Sequence, residues 1–310
     1  MLSSRVIVGL VLISASLHTW ADDKKNNSAY ARLNVNAQLS DKGEGSFTEI
    51  RGNNSWLGVK GKVDFEEGLY AIYRLEWKVD TTAESGQDSI TERPQYLGIG
   101  GKAGELTMGR NFTALWMAQG GLDLYNHYQG DIARIWRGEN RLTDVATYTS
   151  PKFNNFSAVV TYQAEKEEEG KSATSAALFY GDKQFKHSPF YASLAHDFDV
   201  KGNDVTRLAF QYKHNIHKVG FMLQQQEPTD VPESESEQGA FVSYSLLLGK
   251  FDYRLQYQTM DEDRSVNLGV DYRLSKLTKF FVWFHGLDKR EQEEQSYFAF
   301  GFEHKFNKGF

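Results

Sequence analysis

The chain has 310 residues, no cysteine, 35 basic and 41 acidic residues, and a formal net charge of −6. The lack of cysteine excludes a disulfide framework and thiolate metal sites, and the acidic balance argues against nucleic acid as a partner. No composition shift or Pro/Gly-rich linker divides the chain, which favours a single domain.

The first 21 residues have the composition of a secretory signal peptide. A mostly apolar run over residues 6–17 follows one basic residue, and the small residues Thr19 and Ala21 suit a signal-peptidase site. The run is too short to cross a bilayer. The alternative, a buried N-terminal helix, would show a polar face at a helical period. We therefore expect residues 1–21 to be removed and residues 22–310 to form the barrel domain described next.

After residue 27 the sequence repeats short stretches in which apolar and polar residues alternate. The first runs over residues 30–39, with apolar side chains at most odd positions and polar ones at even positions. Two more follow at 57–65 and 69–79, separated by a short Glu-Glu-Gly turn. A period of two is typical of a β-strand with one face in lipid and the other in water.

The same pattern returns along the rest of the chain, for example at 156–163, 251–258, 266–274 and 298–306. Two stretches, 93–100 and 105–111, alternate poorly, so the pattern does not define their facing. No segment after the leader approaches 18 consecutive apolar residues, and the mean hydropathy is −0.55. A barrel is compatible with so polar a mean because only every second residue of its strands meets lipid.

Counting these segments gives sixteen strands, and their connectors alternate in length. Odd connectors are mostly long and polar, such as 40–53, 81–92 and 112–143, whereas even connectors are mostly tight, such as 101–104 and 275–276. Long loops on one rim and short turns on the other are typical of bacterial outer-membrane barrels. We therefore predict an all-β fold, a transmembrane antiparallel β-barrel of sixteen strands. A soluble β-sandwich would not need this parity.

Several fragments resemble the Gram-negative general porin family. The residues that carry the resemblance are Tyr30-Ala31-Arg32, Ser55 to Gly61, Glu67 to Glu76, Tyr96 to Gly100, Leu106 to Asn111 and Arg141 to Tyr148. The terminal Phe310 looks like the aromatic end by which the assembly machinery recognises such barrels. The resemblance spans the chain after its leader and is specific as an ensemble.

The resemblance implies a homotrimer in the outer membrane of a Gram-negative bacterium, surrounded by lipid and lipopolysaccharide, that lets ions and small hydrophilic solutes diffuse passively. It implies no cofactor and no metal. It also implies that the third long loop, here residues 112–143, folds inward and narrows the channel. Three departures from the family pattern matter. Trp56 stands where relatives often carry a small or basic residue, which bears on pore width. The loop lacks a Pro-Glu-Phe-Gly-Gly tip, so its acids are not placed by motif, and residues 307–310 extend past a plausible end of the last strand at Phe306.

In the porins that this chain resembles, acids on the inward loop oppose a basic cluster on the wall. The candidate constriction acids, chosen by their position in the loop, are Asp123 and Asp131. The candidate wall bases are Arg32, Arg110 and Arg141, which lie in matching fragments, and Arg74 and Arg93, which strand phase and proximity suggest. Any of these charges can instead be ordinary lining, because charges that face a water-filled lumen cost little.

Two further residue sets have open interpretations. Tyr125, Tyr128 and Trp136 could form an aromatic track for sugars, although packing of the loop against the wall is the commoner role. Acidic runs at 165–169, 233–237 and 291–294 fall on long connectors, where a solvated rim is the usual explanation. As a second hypothesis, these runs raise the cation concentration at the mouth of the pore.

Other function classes are less well supported by the sequence. The histidines are scattered without a companion Ser or Asp motif, so we do not expect an enzyme. A substrate-specific oligosaccharide channel is the main alternative to a general pore, and it would show conductance block that saturates at low sugar concentration. A structural barrel plugged by its own loop would show no conductance.

Overall fold

The computed structural model describes residues 26–84, 86–165, 171–231 and 234–310. The predicted signal peptide lies outside the described residues. The strands are β1 Asn27–Asp41, β2 Ser46–Gly52, β3 Ser55–Asp64, β4 Tyr70–Val79, β5 Ile90–Gly101, β6 Gly104–Phe112, β7 Arg141–Thr149, β8 Phe156–Gln163, β9 Ala173–Gly181, β10 Phe190–Phe198, β11 Asn203–His214, β12 His217–Pro228, β13 Glu237–Leu248, β14 Phe251–Met260, β15 Asp263–Arg273, β16 Thr278–Asp288 and β17 Gln295–Gly309. One helix, α1 Ala114–Ala118, and two 3-10 turns, Glu66–Gly68 and Ile132–Arg134, complete the described elements. No helix in the described ranges is long and apolar enough to cross a membrane.

All strands form one closed antiparallel sheet. Each strand from β3 to β16 pairs with the next along the chain, and β17 pairs with β1 across fourteen residue pairs, from Ser28 opposite Gly309 to Asp41 opposite Ser296. β2 and β3 both pair with β1, one above the other, and therefore occupy one position in the wall. The barrel has sixteen strand positions, so the predicted fold class is confirmed.

Burial alternates along the strands and separates two faces. On β14, Phe251 and Tyr253 are 43% and 42% exposed, whereas Gln256 and Gln258 have no exposed surface. In a closed barrel the exposed apolar set must lie on the outside, where it can contact lipid. The polar set faces the interior, where it is satisfied by other protein groups or by water.

Residues 46–52 correct one sequence prediction. We expected a loop over residues 40–53, but only residues 42–45 form the connector, and β2 pairs with the upper half of β1 from Val35 opposite Gly52 to Asp41 opposite Ser46. The extension follows from the length of β1, because its outer half would otherwise present unpaired backbone groups at an edge.

A β-bulge on β5 explains the poor alternation at 93–100, and a second register shift lies opposite the stretch 105–111. Leu75 pairs with Gln95 and Trp77 with Glu92, so Arg93 and the adjoining proline together oppose one residue of β4. At the second register shift the extra residue is on β7, because Gly109 pairs with Val145 and Asn111 with Leu142. An extra residue in one strand reverses the facing of everything after it, so a single period of two cannot describe β5.

The chain end is part of the barrel. β17 runs to Gly309, and the backbone N–H of Phe310 donates to Asn27 O at 3.0 Å. The sequence pattern allowed a stop at Phe306; the structure shows that pairing with β1 continues past it. The last residues therefore help to close the ring.

Candidate functional site

The third loop, residues 113–140 between β6 and β7, is the longest connector. Its backbone makes hydrogen bonds with inner-face side chains of distant strands. The Leu115 N–H donates to Ser175 Oγ on β9 at 2.9 Å, and the Leu124 N–H donates to Gln256 Oε1 on β14 at 2.8 Å. These contacts are those expected of a loop that enters the barrel.

Apolar side chains of the third loop pack against side chains of β10 to β14 and β16. Leu122 and Ile132 have no exposed surface, and Trp136 is 2% exposed. They pack with Tyr191, Ala209, Met222, Phe241, Met260 and Leu287 of the wall. A second cluster joins Tyr125 and Tyr128 of the loop to Phe281, Trp283, Tyr297 and Ala299. The interior beside these strands is therefore a hydrophobic core, stabilised at about 25 cal/mol for each Å² of apolar surface removed from water.

The three aromatic residues for which a sugar track was the alternative belong to this core. Tyr125, Tyr128 and Trp136 are 0%, 7% and 2% exposed. The Tyr125 hydroxyl donates to Arg254 O at 3.0 Å, and the Trp136 indole N–H donates to Thr259 O at 2.9 Å. The Tyr128 hydroxyl accepts from Asn34 Nδ2 on β1 at 2.9 Å. The polar atoms of all three residues thus bond the wall, and their packing role, the expected one, is confirmed.

An ion pair anchors the returning half of the third loop. Glu139 Oε1 lies 2.9 Å from an Arg207 guanidinium nitrogen on β11, and neither side chain is more than 10% exposed. Gln119 Nε2 donates to the other Glu139 oxygen at 2.9 Å. Burial raises the pKa of Glu139 to about 7, although the Arg207 charge acts in the opposite direction.

The two candidate constriction acids bond to backbone groups of their own loop. Asp123 accepts the N–H groups of Tyr125 at 2.9 Å and Ile132 at 3.1 Å. Asp131 accepts those of His127 at 2.8 Å and Ala133 at 2.9 Å. Burial and the neighbouring Asp131 carboxyl raise the pKa of Asp123. The structure therefore gives both acids a role in shaping the loop tip, and their role in ion selection stays a prediction.

Two of the candidate wall arginines converge on Trp56. The Arg32 guanidinium carbon lies 4.6 Å from the centre of the Trp56 ring, and that of Arg93 lies 4.7 Å from it. Arg32 pairs with Glu303 at 2.7 Å, and Arg93 pairs with Glu76. Cation–π contacts of this kind contribute roughly 0.5–2 kcal/mol, more when desolvated. Trp56 thus serves as a platform that fixes two guanidinium groups on the inner wall.

The remaining candidate arginines lie on the neighbouring strands. Arg74 pairs with the fully buried Glu76 at 2.5 Å, and Arg110 pairs with Glu92 at 3.2 Å. Arg141 donates to the Glu92 backbone carbonyl at 3.3 Å. All five arginines therefore lie on one side of the barrel, on β1 and β4 to β7, and the structure brings them together. The two candidate acids belong instead to the loop.

The tip of the third loop reaches this basic wall. The His127 ring contacts Trp56 edge to face, with centroids 5.4 Å apart, and its Nδ1 lies 2.7 Å from Asn54 Nδ2. Burial, followed by the nearby arginine charges, holds the pKa of His127 well below its usual value, so the ring is neutral. Beside this contact is a cavity of about 340 Å³, lined by Arg51, Gly52, Asn53, Asn54, Lys78, Thr91, Arg93, His127, Tyr128, Gln129 and Arg141. Its lining includes four basic side chains and no acid.

A period of two alone does not predict a hydrophobic core on the inner side of these strands. The signal was present in Phe280 to Phe284, five consecutive apolar residues on β16. Alternation of polarity fails there because the inner residues Phe281 and Trp283 pack in the core while the outer residues of the strand are apolar as well. A continuous apolar run is typical of a strand buried on two sides. Trp56 was noted only for pore width; its stacking on Arg32 and Arg93 depends on strand register and could not be read from the sequence.

Comparisons with a family model and with known sequences all find proteins of the bacterial outer membrane. A model of the Gram-negative porin family matches residues 9–309. The major outer membrane protein P.IB of Neisseria lactamica is 24% identical over 87% of this chain and 84% of its own length. The major outer membrane protein P.IA of Neisseria meningitidis is 30% identical over 37% of this chain. That match spans only 29% of the relative, and the chain aligns with about a third of several such proteins.

Comparisons with solved structures concern the fold. An anion-selective porin from Comamonas acidovorans superposes with a TM-score of 0.73 and 18% identity, over 90% of this chain and 99% of the other. OmpF from Salmonella typhi, in complex with daunomycin, gives a TM-score of 0.73 and 13% identity, over 91% and 98% of the two chains. At these identities the likeness is one of architecture.

Proposed function

The chain belongs to the Gram-negative porin family, whose model matches nearly its whole length, and on that premise we propose that it forms a water-filled channel for passive diffusion of ions and small hydrophilic solutes. The predicted resemblance and the localisation in a Gram-negative outer membrane are confirmed. The relatives named above are outer-membrane proteins and porins, and we infer that this chain is likewise a channel and not an enzyme.

One observation supports the channel most directly. The third loop packs against β8 to β14, β16 and β17, whereas an opening lined by basic side chains of β2, β4, β5 and β7 remains beside its tip. A pore selects by its diameter and by the charges at its narrowest part. The contact of His127 with Trp56 bounds this opening, so we propose that the third loop folds inward and sets the width of the channel.

Bilayer recording tests this proposal. Purified protein added to a planar bilayer in about 1 M potassium chloride should give discrete, ohmic current steps. At this salt concentration surface charges are screened within about 3 Å, so the current reports the open pore. Absence of steps from protein that is folded by circular dichroism would contradict the channel. Saturable block by millimolar maltodextrin, with no block by other small solutes, would favour the oligosaccharide channel instead.

We also propose a homotrimer. One solved structure to which this chain is similar, OmpT of Vibrio cholerae, is described as a trimer form. The outer side chains of β1 are Ala31, Leu33, Val35, Ala37 and Leu39, with no aromatic residue, whereas those of β17 include Phe298, Phe300, Phe302 and Phe306. Aromatic side chains are the usual residues at the lipid interface, so a face without them suits protein contact. A mass in detergent equal to one chain would contradict this assembly.

A further inference from the structure

The open side of the barrel carries a series of aromatic side chains, each with a basic group over its ring. Arg141 lies 4.9 Å from the centre of the Phe112 ring, and Arg32 and Arg93 lie over Trp56. Lower on the same wall, two lysines repeat the arrangement. Lys60 Nζ lies 5.0 Å from the Tyr30 ring centre, and Lys62 Nζ lies 3.3 Å from the Tyr70 ring centre.

Strand register places these pairs in order along the pore. Arg32 is opposite Trp56, and Ser28 is opposite Lys60. Because a strand advances about 3.3 Å per residue, Lys60 lies ~13 Å and Lys62 ~20 Å from Trp56 along β3, towards the rim of tight turns. The apolar band of an outer-membrane barrel is ~25 Å tall. The basic groups therefore extend from the loop tip to the far mouth.

The two tyrosine rings lie close against the wall because glycine faces them. A Cβ on Gly100 would come within 2.3 Å of the Tyr70 ring, and one on Gly58 within 3.1 Å of the Tyr30 hydroxyl. The hydroxyl of Tyr70 donates to Glu105 at 2.7 Å, and that of Tyr30 donates to Glu76 at 2.7 Å. Rings fixed in this way offer their free faces to the lysines and hold the ammonium groups near the wall.

The acids near these groups neutralise only some of them. Glu303 pairs with Arg32, Glu76 pairs with Arg93, and Asp64 lies 3.6 Å from Lys62. Within the described part of the chain, neither Lys60 nor Arg141 has an acidic side chain within 4.0 Å. Within the described residues, the wall thus keeps positive charge without a nearby acid at Arg141 beside the loop tip and at Lys60 towards the rim of tight turns.

The acidic outer rim favours cations, whereas this wall favours anions. Which of the two controls ion selection depends on how far each lies from the path of the ion. The seven outer connectors other than the third loop carry 17 acidic and 6 basic residues, whereas the seven tight turns carry 3 acidic and 6 basic. Charges on exposed connectors are screened within about 8 Å at physiological ionic strength. Charges that line a narrow pore act on an ion at contact, so the wall governs selection inside the barrel.

Given the proposed channel, we propose that the basic groups that lie over aromatic rings on β1 to β7 form a path for small anions, organic carboxylates included. Lys60 and Lys62 are the specificity-determining residues of this path at its periplasmic end. An anion that leaves the arginines around Trp56 meets the next cation within about 13 Å. Each ammonium or guanidinium group, held by its ring, can donate charge-assisted hydrogen bonds to a carboxylate.

The test is the reversal potential of reconstituted protein in gradients of potassium chloride and of potassium succinate. A unit charge about 6 Å from the ion's path in a water-like medium changes the local anion concentration about threefold. We expect the wild type to favour anions in both salts, and K60Q/K62Q to lower the anion-to-cation permeability ratio by at least about threefold, because each charge attracts anions and repels cations. K60R/K62R should retain the wild-type ratio.

Two further variants test whether the effect depends on the position of the charges and on the aromatic ring beneath Lys62. K250Q/K276Q removes two lysines from turns at the same rim, away from the path, and should change the ratio by much less. Tyr70→Leu leaves every charge in place but removes the ring under Lys62, and it should lower the ratio as well. Cation preference in the wild type, or equal shifts in the two double variants, would overturn the inference while leaving the channel standing. A wild type with no conductance would overturn the channel itself.

Discussion

Replacing Trp136 by alanine should release the returning half of the third loop from the wall and leave the barrel closed. Trp136 is 2% exposed, packs edge to face against Phe241 with centroids 6.1 Å apart, and donates to Thr259 O. Truncating a buried tryptophan to alanine costs ~3–5 kcal/mol. The ring of strand pairs does not depend on this side chain, so the cost falls on the attachment of the loop.

The matched control is Trp136→Phe. Phenylalanine keeps most of the apolar contact with the wall but cannot donate to Thr259 O, which removes a hydrogen bond that contributes about 1 kcal/mol. We therefore expect the alanine variant to loosen the loop much more than the phenylalanine variant does.

Two measurements follow the loop directly. Hydrogen exchange of the backbone amides at 132–136 should accelerate strongly in Trp136→Ala and modestly in Trp136→Phe, because exchange from a locally opened segment reports the free energy of opening. Single-channel recordings of Trp136→Ala should show larger current noise. Unchanged exchange and noise in Trp136→Ala would refute the idea that this core holds the loop.

Three other predictions concern the same region. The folded-state pKa of Glu139 is raised to about 7, so between about pH 4 and pH 7 the folded protein retains a proton that the unfolded chain releases. The resulting contribution to stability is complete below about pH 4 and is lost as the pH rises through about 7. Glu139→Gln should therefore flatten the dependence of the melting temperature on pH over that range. Asp123→Asn combined with Asp131→Asn should weaken the loop-tip hydrogen bonds by ~1 kcal/mol each and, if these acids meet passing ions, reduce cation permeability; an unchanged reversal potential would exclude them from ion selection. Trp56→Ala should raise single-channel conductance because it removes the largest side chain at the loop tip contact, and equal or lower conductance would contradict that placement.

The barrel was predictable because its strands obey a local rule. On β14 the sequence alternates Phe251, Tyr253 and Leu255 with Asp252 and Arg254, and the burial of each residue follows that alternation. Lipid outside and polar groups inside impose the same constraint on every strand, so the pattern is visible without knowledge of long-range contacts. The sixteen wall positions followed from counting it.

Two local departures could not be predicted in this way. The bulge at Arg93 shifts the register of β5 by one residue, and the sequence shows only that alternation weakens there. Similarly, the sequence of β2 does not predict a strand, because its two large apolar residues, Phe47 and Ile50, are three positions apart and do not fit a period of two. Pairing with β1 extends this segment despite its irregular pattern, since tertiary context can override local preference.

The candidate site was predicted in its residue types but only partly in its geometry. The five arginines were identified from matching fragments and strand phase, and they do lie together on one side of the barrel. The acids Asp123 and Asp131 were chosen by position alone, and their hydrogen bonds to loop amides depend on a fold of the tip that no local pattern specifies. Trp56 and the lysines over Tyr30 and Tyr70 depend on register across β1, β3 and β4.

Cysteine labelling of the inner wall tests the central claim most directly, because the native chain has no cysteine. Lys78 lines the cavity beside the loop tip, with its side chain 40% exposed, whereas Met222 lies on the opposite wall beneath the third loop with no exposed surface. A charged thiol reagent added during single-channel recording should reduce the current through Lys78→Cys in one step per subunit and leave Met222→Cys unchanged. Block of Met222→Cys with no effect on Lys78→Cys would place the water-filled path on the wrong side of the barrel.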